Sequence, residues 1–212
     1  GRKPADLLLK NARIVNVFSG EINKNNVAVY EGKICGIGDY RAEETIDLKN
    51  RLLLPGYIDG HIHLESSLVT VSEFAKTVVP LGTTSVIADP HEIANVLGLD
   101  GIKYILESAK YQPLEVFLMM PSCVPATDLE TSGAVISAGD IFPYLSEKWV
   151  VGLGEMMNFS GVISANKEVL DKIKLVNTKR IDGHAPGLTG KKLSAYISAG
   201  IKSDHESTEL EE

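Results

Sequence analysis

Hydrophobic positions follow two patterns along the chain, and the change between them falls near residue 52. Before it, short β-leaning runs are separated by turn signals; these runs cover residues 7–9, 13–17, 26–30 and 33–38. The pair Glu31-Gly32 predicts a hairpin turn, because glycine tolerates positive φ. Residues 5–54 are therefore predicted to form a small β unit.

From residue 52 onward, apolar strand patterns alternate with helical ones. Strands are predicted over 52–59, 83–89, 114–120, 150–155, 180–183 and 199–203. Helices are predicted over 72–80, 95–110, 140–148, 167–176 and 190–197, with Ser72 as the N-cap of the first. Strand and helix in regular alternation predict a parallel sheet with right-handed crossovers.

Six predicted strands are fewer than a closed barrel needs. A (β/α)₈ barrel has eight strands and about 250 residues. The last six residues, with Thr208 as a cap before acidic residues, resemble the first turn of a helix. We therefore expect an α/β fold that is an incomplete (β/α)₈ barrel of about six β-α units, the front part of a longer protein. The alternative is a smaller open α/β fold.

Composition and charge exclude several classes of protein. The 212 residues are 44% hydrophobic and 23% charged, with 28 acidic and 21 basic residues and a formal net charge of −7. Without a basic run to neutralise phosphates, general binding to nucleic acid or to a membrane surface is not expected. The two cysteines, Cys35 and Cys123, lie too far apart in sequence to suggest a disulfide framework, so we expect a cytoplasmic protein.

Candidate chemistry is concentrated at the ends of the predicted strands. His61 and His63 form a His-x-His pair, and residues i and i+2 of a strand point to the same face. The remaining histidines also follow strands: His91, His184 and His205. Carboxylates accompany them at Asp89, Glu92, Glu155, Asp204 and Glu206. Imidazoles and carboxylates without thiolates suit zinc, iron or manganese; the alternative is that these histidines only form hydrogen bonds in loops.

Several of these motifs resemble those of a known family. The run Pro55-Gly-Tyr-Ile-Asp-Gly-His-Ile-His63 is similar to the first-strand signature of the amidohydrolase superfamily. Further runs resemble the adenine deaminases within it, at 89–96, 119–127, 152–158, 182–188 and 203–206. The resemblance extends over the whole chain. It implies that residues 1–54 are the N-terminal part of a small β-sandwich domain and that 55–212 are the first six strands of a metal-dependent hydrolase barrel.

The resemblance also implies a binuclear metal site. By it, His61 and His63 bind the first ion, His184 and His205 bind the second, and Glu155 bridges the two. Many amidohydrolases bridge their metals with a carboxylated lysine, so a glutamate here favours the deaminases. We expect two divalent ions, Mn²⁺ or Fe²⁺ in preference to Zn²⁺.

Four further residues are assigned less specifically. His91 and Glu92 are expected to line a purine pocket, to hold an extra cation or to cap the following helix, and Glu92 is a candidate catalytic residue beside Glu155. Ser122 and Cys123 follow the third barrel strand and are candidates for substrate binding. For Cys123, packing in the interior is the alternative.

The activity that the resemblance implies is hydrolytic deamination of adenine to hypoxanthine and ammonia, a step of purine salvage. Amidohydrolases take a proton shuttle from an aspartate after strand eight, and six predicted strands do not supply it. We therefore expect little activity from these 212 residues alone. The alternatives are a cyclic-amide hydrolase related to dihydroorotase or hydantoinase, and a catalytically inactive binding module. The sequence leaves homo-oligomer formation open.

Overall fold

Two separate sheets organise the chain, each within its own unit. The computed structural model describes residues 3–176 and 178–212, and contacts divide these into one unit that ends at Gly56 and another from Tyr57 to Glu212. Among the described residues, no helix combines the length and the apolar character needed to cross a membrane.

The first unit contains a five-stranded sheet. Its strands are β1 (Ala5–Val15), β2 (Ile22–Tyr30), β3 (Lys33–Ile37), β4 (Ala42–Asp47) and β5 (Leu52–Leu53). Strands β1, β2 and β3 pair in antiparallel fashion, whereas β4 and β5 run parallel to β1. The predicted hairpin is confirmed, since Tyr30 pairs with Lys33 and the intervening Glu31 and Gly32 have φ of 49° and 71°. The runs predicted at 7–9 and 13–17 form one strand, whose register shifts between Leu9 and Ala12.

The second unit contains a six-stranded sheet in which every neighbouring pair is parallel. Its strands are β6 (Tyr57–Ile62), β7 (Thr83–Ala88), β8 (Glu115–Met120), β9 (Val150–Met156), β10 (Arg180–Gly183) and β11 (Ser203–Asp204). They lie side by side in chain order, from β6 at one edge to β11 at the other. The predicted architecture, an incomplete (β/α)₈ barrel with six strands, is confirmed.

Helices connect these strands and cover the sheet. They are α1 (Val71–Val78), α2 (His91–Leu97), α3 (Leu99–Ala109), α4 (Ala138–Ile141), α5 (Phe159–Ile163), α6 (Lys167–Leu175) and α7 (Gly190–Ser198). Short 3₁₀ turns occur at Leu64–Ser67, Val79–Leu81 and Phe142–Ser146. One hydrophobic core runs through the unit, and it joins Ile102 of α3 to Leu118 of β8 and Leu153 of β9. Such a core fixes the strand ends on which the site depends.

Several predicted boundaries are wrong. The strand predicted over 52–59 is split, because Pro55 has no N–H to donate; Leu52–Leu53 pairs with β1, and the barrel sheet starts at Tyr57. The helix predicted over 95–110 is two helices, because Gly98 ends α2 with a φ of 60°. Thr70 caps α1 in place of Ser72, accepting a hydrogen bond from the Glu73 amide.

Other elements are shorter than predicted or were not predicted. The helix predicted over 140–148 ends after Ile141 and continues as a 3₁₀ turn that includes Pro143. The last strand begins at Ser203 instead of residue 199. Helix α5 was not predicted, and its N-cap is the Asn158 side chain, which accepts from the Gly161 amide at 2.8 Å.

Candidate metal centre

The structure brings all five histidines and Glu155 together at the carboxyl edge of the parallel sheet. They lie in or next to the elements that follow one another around this edge: His61 in β6, His63 after it, His91 at the start of α2, Glu155 in β9, His184 after β10 and His205 after β11. Carboxyl ends of parallel strands form one edge, so residues far apart in sequence meet there.

Glu155 is the centre of this cluster, and its side chain is almost fully buried at 3% exposure. Its Oε1 lies 3.2 Å from His63 Nε2 and 2.9 Å from His91 Nε2. Its Oε2 lies 2.7 Å from His184 Nδ1 and 3.2 Å from His205 Nε2. Each carboxylate oxygen therefore faces its own pair of imidazoles, which is the arrangement expected of a carboxylate between two cations.

His61 completes the first group of donors. Its Nε2 is 3.2 Å from His63 Nε2, and the two rings are perpendicular. The ring of His61 also stacks on that of His205, with centroids 3.7 Å apart. Three sets of ligand atoms have all their members within 4.8 Å of one another. Two of them contain Glu155, one with His61 and His63 and the other with His184 and His205, and the third consists of His61, Asp182 and His205.

These donors fit divalent metal ions. Ligand atoms about 2.0–2.2 Å from one ion are separated by roughly 3–3.5 Å, and the contacts around Glu155 fall close to that spacing. His184 Nδ1 is buried and has no hydrogen-bond partner among the described residues, although it lies 2.7 Å from Glu155 Oε2. The two atoms are close without being aligned as donor and acceptor, as expected when both are directed at a common third position.

Outer contacts orient the imidazoles. His63 Nδ1 is 2.8 Å from the Asp89 carbonyl oxygen, which can only accept, so Nδ1 carries the proton and Nε2 is free to bind a metal. Asp182 Oδ2 lies 3.3 Å from His61 Nδ1 and 3.1 Å from His205 Nδ1. Asp182 was missed as a site residue; its position near the carboxyl end of β10, two residues before His184, was a usable signal.

The backbone of Glu155 is held by a second buried carboxylate. Asp89 is 1% exposed, and its Oδ2 accepts a 2.8 Å hydrogen bond from the Glu155 amide. Burial raises the pKa of Asp89 to about 6. One residue thus links β7 to β9 through its side chain and positions His63 through its carbonyl group.

The side chains of the remaining candidate residues do not contact the Glu155 carboxylate. The Glu92 side chain accepts hydrogen bonds from the Ser66 hydroxyl, at 2.8 and 2.9 Å. Ser122 and Cys123 are buried, and the Ser122 hydroxyl donates to the Glu155 carbonyl oxygen. The Cys123 sulfur accepts from the Asn158 amide and contacts the Met156 sulfur at 3.7 Å. The polar atoms of Ser122 and Cys123 thus have partners within the protein, and their substrate-binding role stays a prediction.

Electrostatics within the cluster are strongly coupled. Burial of Glu155 opposes its ionisation, but the contacts with His63 and His91 outweigh it and hold the pKa of Glu155 far below its usual value. Contact with Glu155 in turn raises the pKa of His63 from 6.5 to about 9, and contact with Asp182 raises the pKa of His61. Without metal, an ionised Glu155 and a protonated His63 therefore stabilise each other.

The metal-free chain is therefore expected to lose stability as the pH rises from about 6.5 to about 9. Protonated His63 stabilises the fold below its unfolded pKa of about 6.5, and this contribution disappears as the pH passes its folded pKa of about 9. Ionised Glu155 acts in the opposite sense, contributing above about pH 4.5 and failing at lower pH. Urea unfolding in the presence of a chelator, repeated across this range, measures the effect.

The matched control for this pH dependence is His63→Gln, which removes the titrating ring and should flatten the slope above pH 6.5. An unfolding midpoint that stays constant or rises between pH 6.5 and 9 in the metal-free wild-type chain would contradict the expectation.

The second unit is thus an incomplete parallel barrel with a cluster of imidazoles and one glutamate at the carboxyl edge of its sheet. A model of the amidohydrolase family matches residues 52–212. The chain belongs to this family.

Curated relatives match the chain over its full length. The adenine deaminases of Kosmotoga olearia and Archaeoglobus fulgidus are each 55% identical to it, and adenine deaminase 2 of Carboxydothermus hydrogenoformans is 50% identical. These matches include 100% of this chain but only 37–38% of the length of each relative. The similarity is therefore to one part of those proteins.

Solved structures share the fold at low sequence identity. An atrazine chlorohydrolase from Arthrobacter aurescens, solved with zinc, aligns with a TM-score of 0.66 and 12% identity, covering 92% of this chain and 58% of that one. A D-aminoacylase described as having a binuclear metal centre aligns at 0.56 and 15% identity, covering 92% and 48%. At these identities the likeness shows the fold alone.

Proposed function

We propose that this chain carries the metal centre of an enzyme that deaminates adenine to hypoxanthine and ammonia, as in purine salvage. The observation that carries the proposal is the position of Glu155, with one oxygen facing His63 and His91 and the other facing His184 and His205. A glutamate at this position fits the adenine deaminase relatives better than the lysine-bridged cyclic-amide hydrolases. The 50–55% identity over the whole chain supports the same choice.

Two divalent ions would be held by these residues, one by His61, His63 and Glu155 and the other by Glu155, His184 and His205. Bound divalent ions supply hydroxide at neutral pH, because they lower the pKa of water from 15.7 to about 7. Mn²⁺ or Fe²⁺ is proposed in preference to Zn²⁺. His91, whose Nε2 also reaches Glu155 Oε1, would lie beside the first of these sets.

The protein's own groups orient this centre. The Asp182 carboxylate is placed to accept hydrogen bonds from the Nδ1–H groups of both His61 and His205, which would fix both tautomers and direct each Nε2 toward the centre. The Asp89 carbonyl does the same for His63. Burial of Glu155 restricts water around its carboxylate and strengthens its interactions with cations.

Roles in handling the substrate are proposed for the residues that follow β7 and β8. Glu92 is a candidate proton carrier and His91 a candidate purine contact, because both lie at the start of α2 beside the cluster. The proposed substrate is a free purine base, and no nucleic-acid or membrane partner is proposed. A cytoplasmic location fits a chain whose two cysteines are both free.

The proposal is tested by metal analysis together with an adenine assay. We expect the wild-type chain to bind two divalent ions after loading with Mn²⁺. The His61→Ala/His63→Ala variant and the His184→Ala/His205→Ala variant should each lose one of these two ions. Consumption of adenine, followed by its ultraviolet absorbance, is expected to depend on the added metal. It should be slow for these 212 residues, since no strand-eight aspartate is assigned among them.

Two results would redirect the assignment. Metal-dependent hydrolysis of a dihydropyrimidine or a hydantoin, with adenine unchanged, would favour a cyclic-amide hydrolase. A chain that binds no Mn²⁺, Fe²⁺ or Zn²⁺ under any loading condition would favour a catalytically inactive binding module.

A further inference from the structure

A buried tyrosine connects the backbones of two proposed metal ligands. Tyr196, in the last turn of α7, is 1% exposed. Its hydroxyl donates a 2.8 Å hydrogen bond to the Met156 carbonyl oxygen and accepts a 3.0 Å hydrogen bond from the His184 amide. Met156 directly follows Glu155, so one hydroxyl group lies between the chain segments that carry Glu155 and His184.

The position of this hydroxyl in the sheet explains what it does. Strands β9 and β10 pair through Gly183 and Met156, after a register irregularity between Ile181 and Gly183. In a regular parallel ladder, N–H groups of one strand donate directly to carbonyl oxygens of the next. Here the Tyr196 hydroxyl oxygen lies between the His184 amide and the Met156 carbonyl oxygen, and it bridges the two strands where the ligands leave the sheet.

A hydroxyl group suits this position because it can donate one hydrogen bond and accept another at the same time. It donates once and accepts once, and burial raises the pKa of Tyr196, so the proton remains in place for donation. Without it, a buried N–H and a buried carbonyl oxygen would each lose a partner. Helix α7 is in this way tied to the edge of the sheet at the point where His184 Nδ1 lies 2.7 Å from Glu155 Oε2.

We propose that Tyr196 is a positioning residue for the second metal ion, because its hydroxyl sets the spacing between Glu155 and His184. This inference rests on the two-metal centre proposed above, but it does not depend on which substrate that centre acts on. It predicts that Tyr196 influences the donor set of Glu155, His184 and His205 and leaves the set of His61, His63 and Glu155 nearly unchanged.

The decisive variant is Tyr196→Phe, which keeps the buried ring and removes only the oxygen. Groups that orient metal ligands typically change metal affinity by about 10–100-fold. We expect a loss of this size in Mn²⁺ affinity when Tyr196→Phe is made in a His61→Ala/His63→Ala background, where only the second donor set remains. In a His184→Ala/His205→Ala background, the same substitution should change Mn²⁺ affinity less than about 2-fold. Titration followed by the electron paramagnetic resonance of free Mn²⁺ measures both.

A second readout needs no metal. In the metal-free chain, the His184 amide should exchange its hydrogen slowly in the wild-type protein and much faster in Tyr196→Phe, because its acceptor is gone. Tyr104→Phe is the matched control, since Tyr104 lies on α3 and is 45% exposed. It should alter neither the exchange of the His184 amide nor either Mn²⁺ affinity.

The outcomes separate this inference from the proposed function. Equal weakening of Mn²⁺ binding in both backgrounds would show general destabilisation and overturn the positioning role, and so would unchanged affinity in both. If the wild-type chain binds no metal at all, the proposed function fails and the positioning of a metal ligand fails with it. Unchanged exchange of the His184 amide would also overturn the inference, whether or not the chain deaminates adenine.

Discussion

Glu155→Gln is expected to lower the affinity for both metal ions by roughly 10²–10³-fold. A four-ligand structural zinc site is worth about 10–16 kcal/mol, so one ligand accounts for about 2.5–4 kcal/mol, and about 1.4 kcal/mol corresponds to a factor of ten. Because the two oxygens of Glu155 face different pairs of imidazoles, one substitution should weaken both sites together. Equilibrium dialysis against Mn²⁺ with elemental analysis measures the loss.

Glu206→Gln is the matched control for this variant. The Glu206 carboxylate lies 3.9 Å from His205 Nε2 but is about half exposed, so solvent screens its charge. We expect its loss to change Mn²⁺ affinity by less than about 3-fold. If Glu155→Gln bound two Mn²⁺ ions as tightly as wild type, Glu155 would not be the shared ligand.

The succession of elements could be predicted from the sequence because it follows from hydrophobic periodicity. The six parallel strands and the change from β unit to β/α unit were all visible in it. The break between α2 and α3 at Gly98 could not be seen in the sequence, because Val96, Leu99 and Ile102 keep a helical spacing on both sides of it. Hydrophobic periodicity indicates which residues share a face of an element, but it does not reveal a single residue with positive φ.

Much of the candidate site was predictable for a different reason. Residues that end parallel strands must converge on one edge, so the positions of His61, Glu155 and His184 followed from the predicted strands. The contacts that orient these side chains could not be predicted, because such contacts depend on strand register and on side-chain rotamers. Asp182 touches two rings from different strands, and the Tyr196 hydroxyl reaches Met156 across 40 residues of sequence.

Both backbone polar groups of Glu155 have side-chain partners, and for this reason we expect substitutions next to Glu155 to be poorly tolerated. Its amide donates to Asp89 and its carbonyl oxygen accepts from Ser122, so the peptide groups that carry the ligand have fixed partners. The residue before it, Gly154, is buried, and its Cα lies against the Asp89 carboxylate. A side chain at position 154 would occupy the space that the Asp89 carboxylate needs to reach the Glu155 amide.

Gly154→Ala is therefore expected to destabilise the chain by about 2–6 kcal/mol and to impair metal binding. The new Cβ would lie 2.5 Å from Asp89 Cγ and 2.8 Å from Asp89 Oδ1, closer than van der Waals contact permits. Overpacking costs about 1–3 kcal/mol, and a buried amide without its acceptor costs about 1–3 kcal/mol more. Thermal unfolding should show Tm lowered on the order of 10 °C, with weaker Mn²⁺ binding in dialysis.

The cause of this destabilisation can be isolated with two further variants. Gly139→Ala is the matched control, because its Cβ would lie 3.6 Å from the Ser137 hydroxyl oxygen in an exposed helical turn, where alanine is favoured. In Asp89→Ala the carboxylate that meets the new Cβ is absent, so adding Gly154→Ala to it should lower Tm little further. Fully additive losses would show that the methyl group strains some other contact and that Asp89 does not limit position 154.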